Sequence, residues 1–206
     1  MMRFKKTVPF LCLFIIFFLC SCSGYRETNE GLVVSVVGID KKADNFTVIA
    51  QTVIPSDSGT AECETVSASA ASVREAFERL GLNAVKPLIF DHCSGIAIGA
   101  GNDTDDIFEI FSYAENKTEI NLSVNLFYTE NAASLVETSS NMRQGGYDIT
   151  QMIKNRKDNF DNELYVAVKK LSQAKDVKLP LINVKNKKIN LSGAYIIENN
   201  KKELIK

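Results

Sequence analysis

Gly31-Leu-Val-Val-Ser-Val-Val-Gly-Ile-Asp40 is the stretch on which the fold turns, an apolar run dominated by valine that stops at Asp40-Lys41-Lys42. Its β-branched side chains favour extended backbone, so the run reads as a first strand. Outward from it, Asn45 to Pro55 sets Phe46, Val48, Ala50 and Val53 in imperfect alternation with polar residues, and only a short Lys-Lys-Ala-Asp turn separates the two runs. The pair is expected to form an antiparallel hairpin. Ser56-Asp-Ser-Gly59 reads as a loop and Thr65 to Ser69 as a brief edge strand. Ser72-Val-Arg-Glu75 then matches a capping box, opening a helix whose Val73, Ala76, Phe77 and Leu80 recur at helical spacing and which Gly81 is expected to end.

Further along, Leu88 to Gly99 is a strand interrupted by Asp91 to Ser94, and Asn102-Asp-Thr-Asp105 supplies caps for a helix carrying Ile107, Phe108, Ile110, Phe111 and Ala114. Ile120 to Tyr128 alternates: Ile120, Leu122, Val124, Leu126 and Tyr128 fall on one face, Asn121, Ser123 and Asn125 on the other. That pattern predicts a half-buried strand. Ala132 to Glu137 reads as a short helix, Gly145-Gly146 as a break, and Asp148 to Lys154 and Asn162 to Ala174 as helices, the second with Leu164, Val168 and Leu171 on one face. A final hairpin, Lys178 to Lys185 and Lys188 to Glu198, turns at Asn186-Lys187 and leaves a mildly basic tail from Asn199 to Lys206. The expected fold class is therefore α+β, a mixed β-sheet with packed helices plus a smaller C-terminal helix and β-hairpin unit. The expected boundaries are residues 31–138 for an N-terminal domain and 139–206 for the C-terminal unit, parting near Ser139 to Gly146.

The first residues say where this domain resides. Arg3, Lys5 and Lys6 precede an apolar run from Val8 to Leu19, which ends in Leu19-Cys20-Ser21-Cys22. A spanning helix needs about 20 apolar residues, whereas a short run with a basic flank and small residues at its end fits a secretory signal. Leu19 and Ser21 fill the slots that bacterial lipoprotein signals place before a modified cysteine, so residues 1–21 are expected to leave as a signal peptide. Cys22 is the expected lipidation site: its thiolate accepts a diacylglyceryl group, and the acyl chains hold the protein on the membrane. Residues 22–30 become a polar tether. An uncleaved amphipathic or spanning anchor would likewise leave a membrane-tethered outer domain.

Composition narrows the chemistry. The 24 basic and 25 acidic residues nearly cancel, so no global field argues for nucleic acid or for an acidic substrate. With Cys12 and Cys20 in the signal and Cys22 lipidated, Cys63 and Cys93 remain, as a disulfide or as two free thiols. His92 and Cys93 are the obvious nucleophile pair, but neighbours on an extended strand point to opposite faces, which argues against a thiol-dependent enzyme. Asp103, Asp105 and Asp106 lack the spacing of an EF-hand and read instead as an acidic helix N-terminus. Gly99-Ala100-Gly101 is too short for a phosphate loop and lacks its lysine. The Asn-x-Ser/Thr sites would matter only in a eukaryotic secretory pathway, and the lipoprotein signal argues for a bacterium. No cofactor motif is present.

The ordered set of motifs resembles the Ger(x)C family, the lipoprotein C subunits of spore germinant receptors. The resemblance rests on Cys22-Ser-Gly-Tyr25-Arg-Glu27, on Gly38-Ile39-Asp40, on the helix from Ser72 to Leu82 and on His92 through Gly99. It continues through Asn121 to Phe127, Ala132 to Glu137, Leu179-Pro180 and Gly193-Ala194-Tyr195. The chain carries Tyr25-Arg26 where members usually carry tryptophan-aspartate, and only Ser56 to Gly59 where they have a glycine-rich loop. It stops at Lys206 where they continue into a large C-terminal domain, so a short form or a truncated product is expected. The resemblance implies a non-enzymatic, lipid-anchored subunit on the outer face of the inner spore membrane, working in nutrient-triggered germination with polytopic A- and B-type receptor subunits. The competing class is an extracytoplasmic solute- or ion-binding lipoprotein of a transport system.

Overall fold

The computed structural model describes residues 31–54, 62–142, 145–156 and 158–198. Strand β1 (Leu32–Lys42) turns at Ala43 and Asp44 into β2 (Asn45–Ile54), and β3 (Glu62–Ala70) pairs along the far side of β2. Helix α1 (Val73–Asn83) follows. Then β4 (Leu88–Ile89) and β5 (Gly95–Gly99) pair, both parallel, with successive parts of one edge of β1. That is the interrupted strand expected from Leu88 to Gly99. Helix α2 (Thr104–Asn116) crosses to β6 (Asn125–Thr129), parallel to β5; α3 (Ala132–Ser139), α4 (Gly145–Lys154) and α5 (Leu164–Ser172) precede a closing hairpin of β7 (Val177–Lys185) and β8 (Lys188–Ile197). The sheet order is β3-β2-β1-β5-β6-β7-β8, with β4 beside β1.

Parallel neighbours require crossovers, and the crossovers cover the sheet on both faces. On one face Val34, Val37, Ile39 and Ile98 meet Phe77 and Leu80 of α1, Ile107, Ile110 and Phe111 of α2, and Leu164 and Leu171 of α5. On the other, Val36, Ala97 and Phe127 meet Leu135 and Val136 of α3 and Ile149 and Ile153 of α4. β1 sends apolar side chains to both faces because both are covered, with Ser35 the one polar residue before Asp40. The mixed α+β sheet with packed helices is as expected, and the hairpin turns at Asn186 and Lys187, both at positive φ.

The expected parting near residues 139–146 does not divide the sheet. β7 pairs parallel with β6 at Tyr128 and Leu181, and β8 extends the same sheet. Tyr128 and Tyr195 stack with ring centroids 3.6 Å apart, which ties β8 to β6 across β7. From Gly31 onward the described residues cluster as one compact unit.

Three local expectations are corrected. Gly81 lies inside α1, which runs on to Asn83 and ends where the extended backbone of Ala84 leads toward Pro87. Gly145 and Gly146 begin α4 rather than break the chain: a Cβ on Gly145 would sit 2.2 Å from Gln51 Oε1, and one on Gly146 2.3 Å from the Ser35 carbonyl oxygen. They are glycine so that the helix can approach the sheet. The long half-buried strand shrinks to Asn125–Thr129, because Asn121 accepts hydrogen bonds from the backbone N–H and hydroxyl of Ser123, and this side-chain turn displaces the ladder. Ile120, Val124 and Leu126 are buried as expected, but Leu122 is exposed, and Phe127 is buried on the opposite face.

Candidate functional site

The carboxyl ends of the parallel strands, where ligands often bind in open α/β sheets, are occupied here by the chain's own contacts. Asp40, the last residue of Gly38-Ile39-Asp40, accepts from the N–H groups of Ala132 and Ala133 at 2.9 and 2.8 Å and so holds the N-terminus of α3. Gly38 lets that helix close on the sheet, since a Cβ there would lie 2.8 Å from the Ala132 carbonyl oxygen. The Asn102 side chain donates to the carbonyls of Ile39 and Gly99 at 2.8 and 2.9 Å, stitching β1 to β5. Gly99 makes room for the Asp40 carboxylate and Gly101 for the Lys41 carbonyl, so this glycine loop serves close packing.

The acidic residues after it are engaged as well. Asp103 and Asp106 form a reciprocal capping box at the start of α2, and Lys41 Nζ donates to Asp106 Oδ1. The backbone N–H of Asp106 is the main reason that the Asp103 carboxyl is held below the usual carboxylate range. Hydrogen bonding to Asp106 likewise raises Lys41. Among the described residues no group of three or more His, Cys, Asp or Glu is gathered as a metal ion would need.

At the opposite end of the sheet, a shallow polar pocket of about 230 Å³ lies where β5 and β6 begin, lined among others by Asp91, His92, Asn125, Tyr147, Gln151 and Lys154. It falls short of the roughly 300–1,000 Å³ usual for small-molecule sites. His92 and Cys93 both border it, in the interruption between β4 and β5 rather than in extended strand, so it is their environments and not strand alternation that part them. The imidazole is exposed, whereas Cys93 is buried in the core and its Sγ lies 3.4 Å from the Gly95 carbonyl oxygen as a donor. Burial pushes the thiol up to about 12 against weaker opposing backbone hydrogen bonds, so thiolate is scarce at neutral pH. Cys63 and Cys93 are both free.

Two results are expected from Cys93. Thiol reagents near neutral pH should modify it only when the domain opens, and replacing His92 by Asn and Cys93 by Ser should leave function intact apart from packing losses. The unfolded thiol releases its proton near 9 and the folded one near 12. The stabilisation is complete below pH 9 and lost as pH rises toward 12. Melting temperature should fall over that range, and the fall should be shallower in Cys93→Ala; equal slopes would place the thiol outside the core.

The expected lipidation site Cys22, signal peptide and tether lie outside the described residues, as do the expected loop at 56–59 and tail at 199–206. Among the described residues no helix is long and apolar enough to cross a membrane. What decides the identity is the pattern of the spore germination protein N-terminal domain, which matches residues 24–184. The chain belongs to this family, the Ger(x)C family. No curated protein and no solved structure matches it. Membership ties the protein to spore germination. In this Ger(x)C protein the family landmarks Gly38, Asp40 and Gly99 hold helices and strands together. Sequence reasoning did not foresee that Asp40 anchors α3; an acidic residue closing a buried strand was the available signal.

Proposed function

We propose that the chain is a non-enzymatic, lipid-anchored C-type subunit of a spore germinant receptor. A diacylglyceryl group on Cys22 holds it to the outer face of the inner spore membrane, where it works with polytopic A- and B-type subunits in nutrient-triggered germination. The observation that carries this reading is the family match beginning at residue 24, directly behind the lipoprotein signal that ends at Cys22. The non-enzymatic part is supported by a protonated, buried Cys93 and by acidic groups already engaged in caps and an ion pair. A subunit of this kind contributes a rigid surface near the membrane. Its sheet, closed by helices on both faces, supplies one.

The test is a deletion strain challenged with a panel of amino acids, sugars and nucleosides. Loss or slowing of the response to a nutrient germinant is expected, with sporulation, vegetative growth and germination by receptor-independent stimuli unchanged. A normal response to every nutrient together with an uptake defect during growth would instead favour the solute- or ion-binding lipoprotein.

A further inference from the structure

The large apolar side chains that the domain exposes are gathered at one end. Among the described residues they are Leu82, Val85, Leu122, Tyr147, Tyr165 and Ile196. Leu82 stands in the last turn of α1 and Val85 just past it, ahead of β4, where the chain enters the parallel part of the sheet. Leu122 immediately precedes β6, and the N–H of Tyr165 donates to its carbonyl. Tyr147 borders the pocket at the start of β5 and β6, and Ile196 sits opposite Lys178 at the start of β7. Because β1, β4, β5, β6 and β7 all run parallel, these positions share the end at which β1 begins. The opposite end, formed by Ala43 and Asp44, Asn102 to Asp106, Asn131, and Asn186 and Lys187, is polar and exposes none of them.

Single exposed apolar residues are ordinary on a protein surface, but their confinement to one end is not. Leu82 and Val85 are 84% and 85% exposed, close to complete exposure for a side chain in a folded domain. The place where they stand is set by the chain. The backbone N–H of Leu32, the first residue of β1, donates to the Pro87 carbonyl at 2.9 Å. Val85 is two residues from Pro87, within about 8 Å by Cα spacing. Only nine residue steps separate Gly31 from Cys22, at most about 32 Å of extended chain. Any lipid on Cys22 therefore keeps a bilayer surface within reach of this end.

We infer that the end of the domain where β1 begins, led by Leu82 and Val85, is a membrane-contacting surface that rests in the headgroup region of a lipid bilayer. The inference builds on the Cys22 anchor proposed above. Aliphatic tips bury at the acyl boundary, and the amphipathic rings of Tyr147 and Tyr165 suit the interface, with an apolar body and a hydroxyl that stays wet. Such a contact is weak alone. Added to an acyl anchor, it fixes the orientation of a domain that a tether alone leaves free to tumble, and it turns the Ala43–Asp44 and Asn186–Lys187 hairpin turns away from the bilayer.

The test uses the full chain carrying its native lipid, in the Cys63→Ser background so that only an introduced cysteine is accessible. Leu82→Cys, Val85→Cys and Asp44→Cys are each labelled with an environment-sensitive fluorophore. The proteins are then reconstituted into vesicles of phosphatidylglycerol and phosphatidylethanolamine containing nitroxide-labelled lipid. Labels at 82 and 85 should shift to the blue and lose most of their emission to the nitroxide, while the label at 44 keeps its own. Equal, weak quenching at all three sites, in protein that floats with the vesicles and carries lipid on Cys22 by mass spectrometry, would overturn the inference and leave the anchor standing. A blue shift at 82 and 85 that appears only when the polytopic subunits are added would overturn it in favour of a protein partner. Protein that neither floats nor carries lipid would remove the anchor reading, and this inference with it. Circular dichroism of each labelled protein guards against unfolding, and the near-complete exposure of Leu82 and Val85 makes unfolding by these changes unexpected.

Discussion

Val124→Asp should unfold the domain. Val124 is almost fully buried in the core between the sheet and α1, α2 and α5, and its carbonyl accepts from the N–H of Leu164 at the start of α5. A carboxylate placed there has no cationic partner among the side chains of that apolar cluster. Burying it costs on the order of 4 kcal/mol or more, a large part of the roughly 5–15 kcal/mol that holds a domain together. Val124→Ala only removes methyl groups and should cost about 2 kcal/mol. Chemical denaturation of the two variants checks the contrast. In spores, Val124→Asp should reproduce the deletion phenotype with little protein detected by immunoblot, and Val124→Ala should respond to nutrients nearly as the parent does.

The second large effect is expected at Cys22. Cys22→Ala removes the thiol proposed to take the lipid behind Leu19-Cys20-Ser21. An unlipidated precursor should accumulate, and the mature protein should disappear from the washed inner membrane. Two acyl chains give stable anchoring where one gives only marginal binding, so the loss should be nearly complete rather than graded. Because Cys22 is outside the compact unit that starts at Gly31, the variant domain should keep the melting temperature of the parent. Lipid found on Cys20, or on no cysteine of the native protein, would contradict the assignment of Cys22.

The parts of the fold that were legible in the sequence were those where local chemistry and tertiary packing agree. Ser72 accepts from the Glu75 N–H and opens α1, and Val73, Ala76, Phe77 and Leu80 are buried as their spacing requires. Asp103 opens α2 in the same manner, and Asn186-Lys187 turns the last hairpin. Where the reading failed, a residue answered to a distant neighbour. Gly145 and Gly146 resemble a breaker until Gln51 and Ser35, far off in sequence, are seen beneath them. The alternation from Ile120 to Tyr128 mimics a strand, but its first half is made of turns in which Ile120 and Val124 happen to face inward. The continuity of the sheet across residues 139–146 had no local signature, since β7 finds β6 only through a crossover of three helices.

The site was less legible than the fold because the residues that stand out chemically are structural. His92 and Cys93 adjoin in sequence and part in environment, one exposed and the other in the core. Asp40, which reads as the end of a strand, bears the N-terminus of a helix 92 residues further on. Leu82 and Val85 lie off the Val73, Ala76, Phe77, Leu80 spacing, Leu82 on the outer side of α1 and Val85 past its end, but spacing alone does not show that no other element covers them.

A lipid-anchored receptor subunit should be recovered with its partners by affinity purification of the chain from detergent-solubilised inner spore membranes. Mass spectrometry of its N-terminal peptide and of the chains that come with it gives the answer in one experiment. The expected result is a diacylglyceryl group on Cys22 and two polytopic subunits of A and B type. An unmodified Cys22, or a lipidated chain that comes instead with a permease and an ATPase, would contradict it.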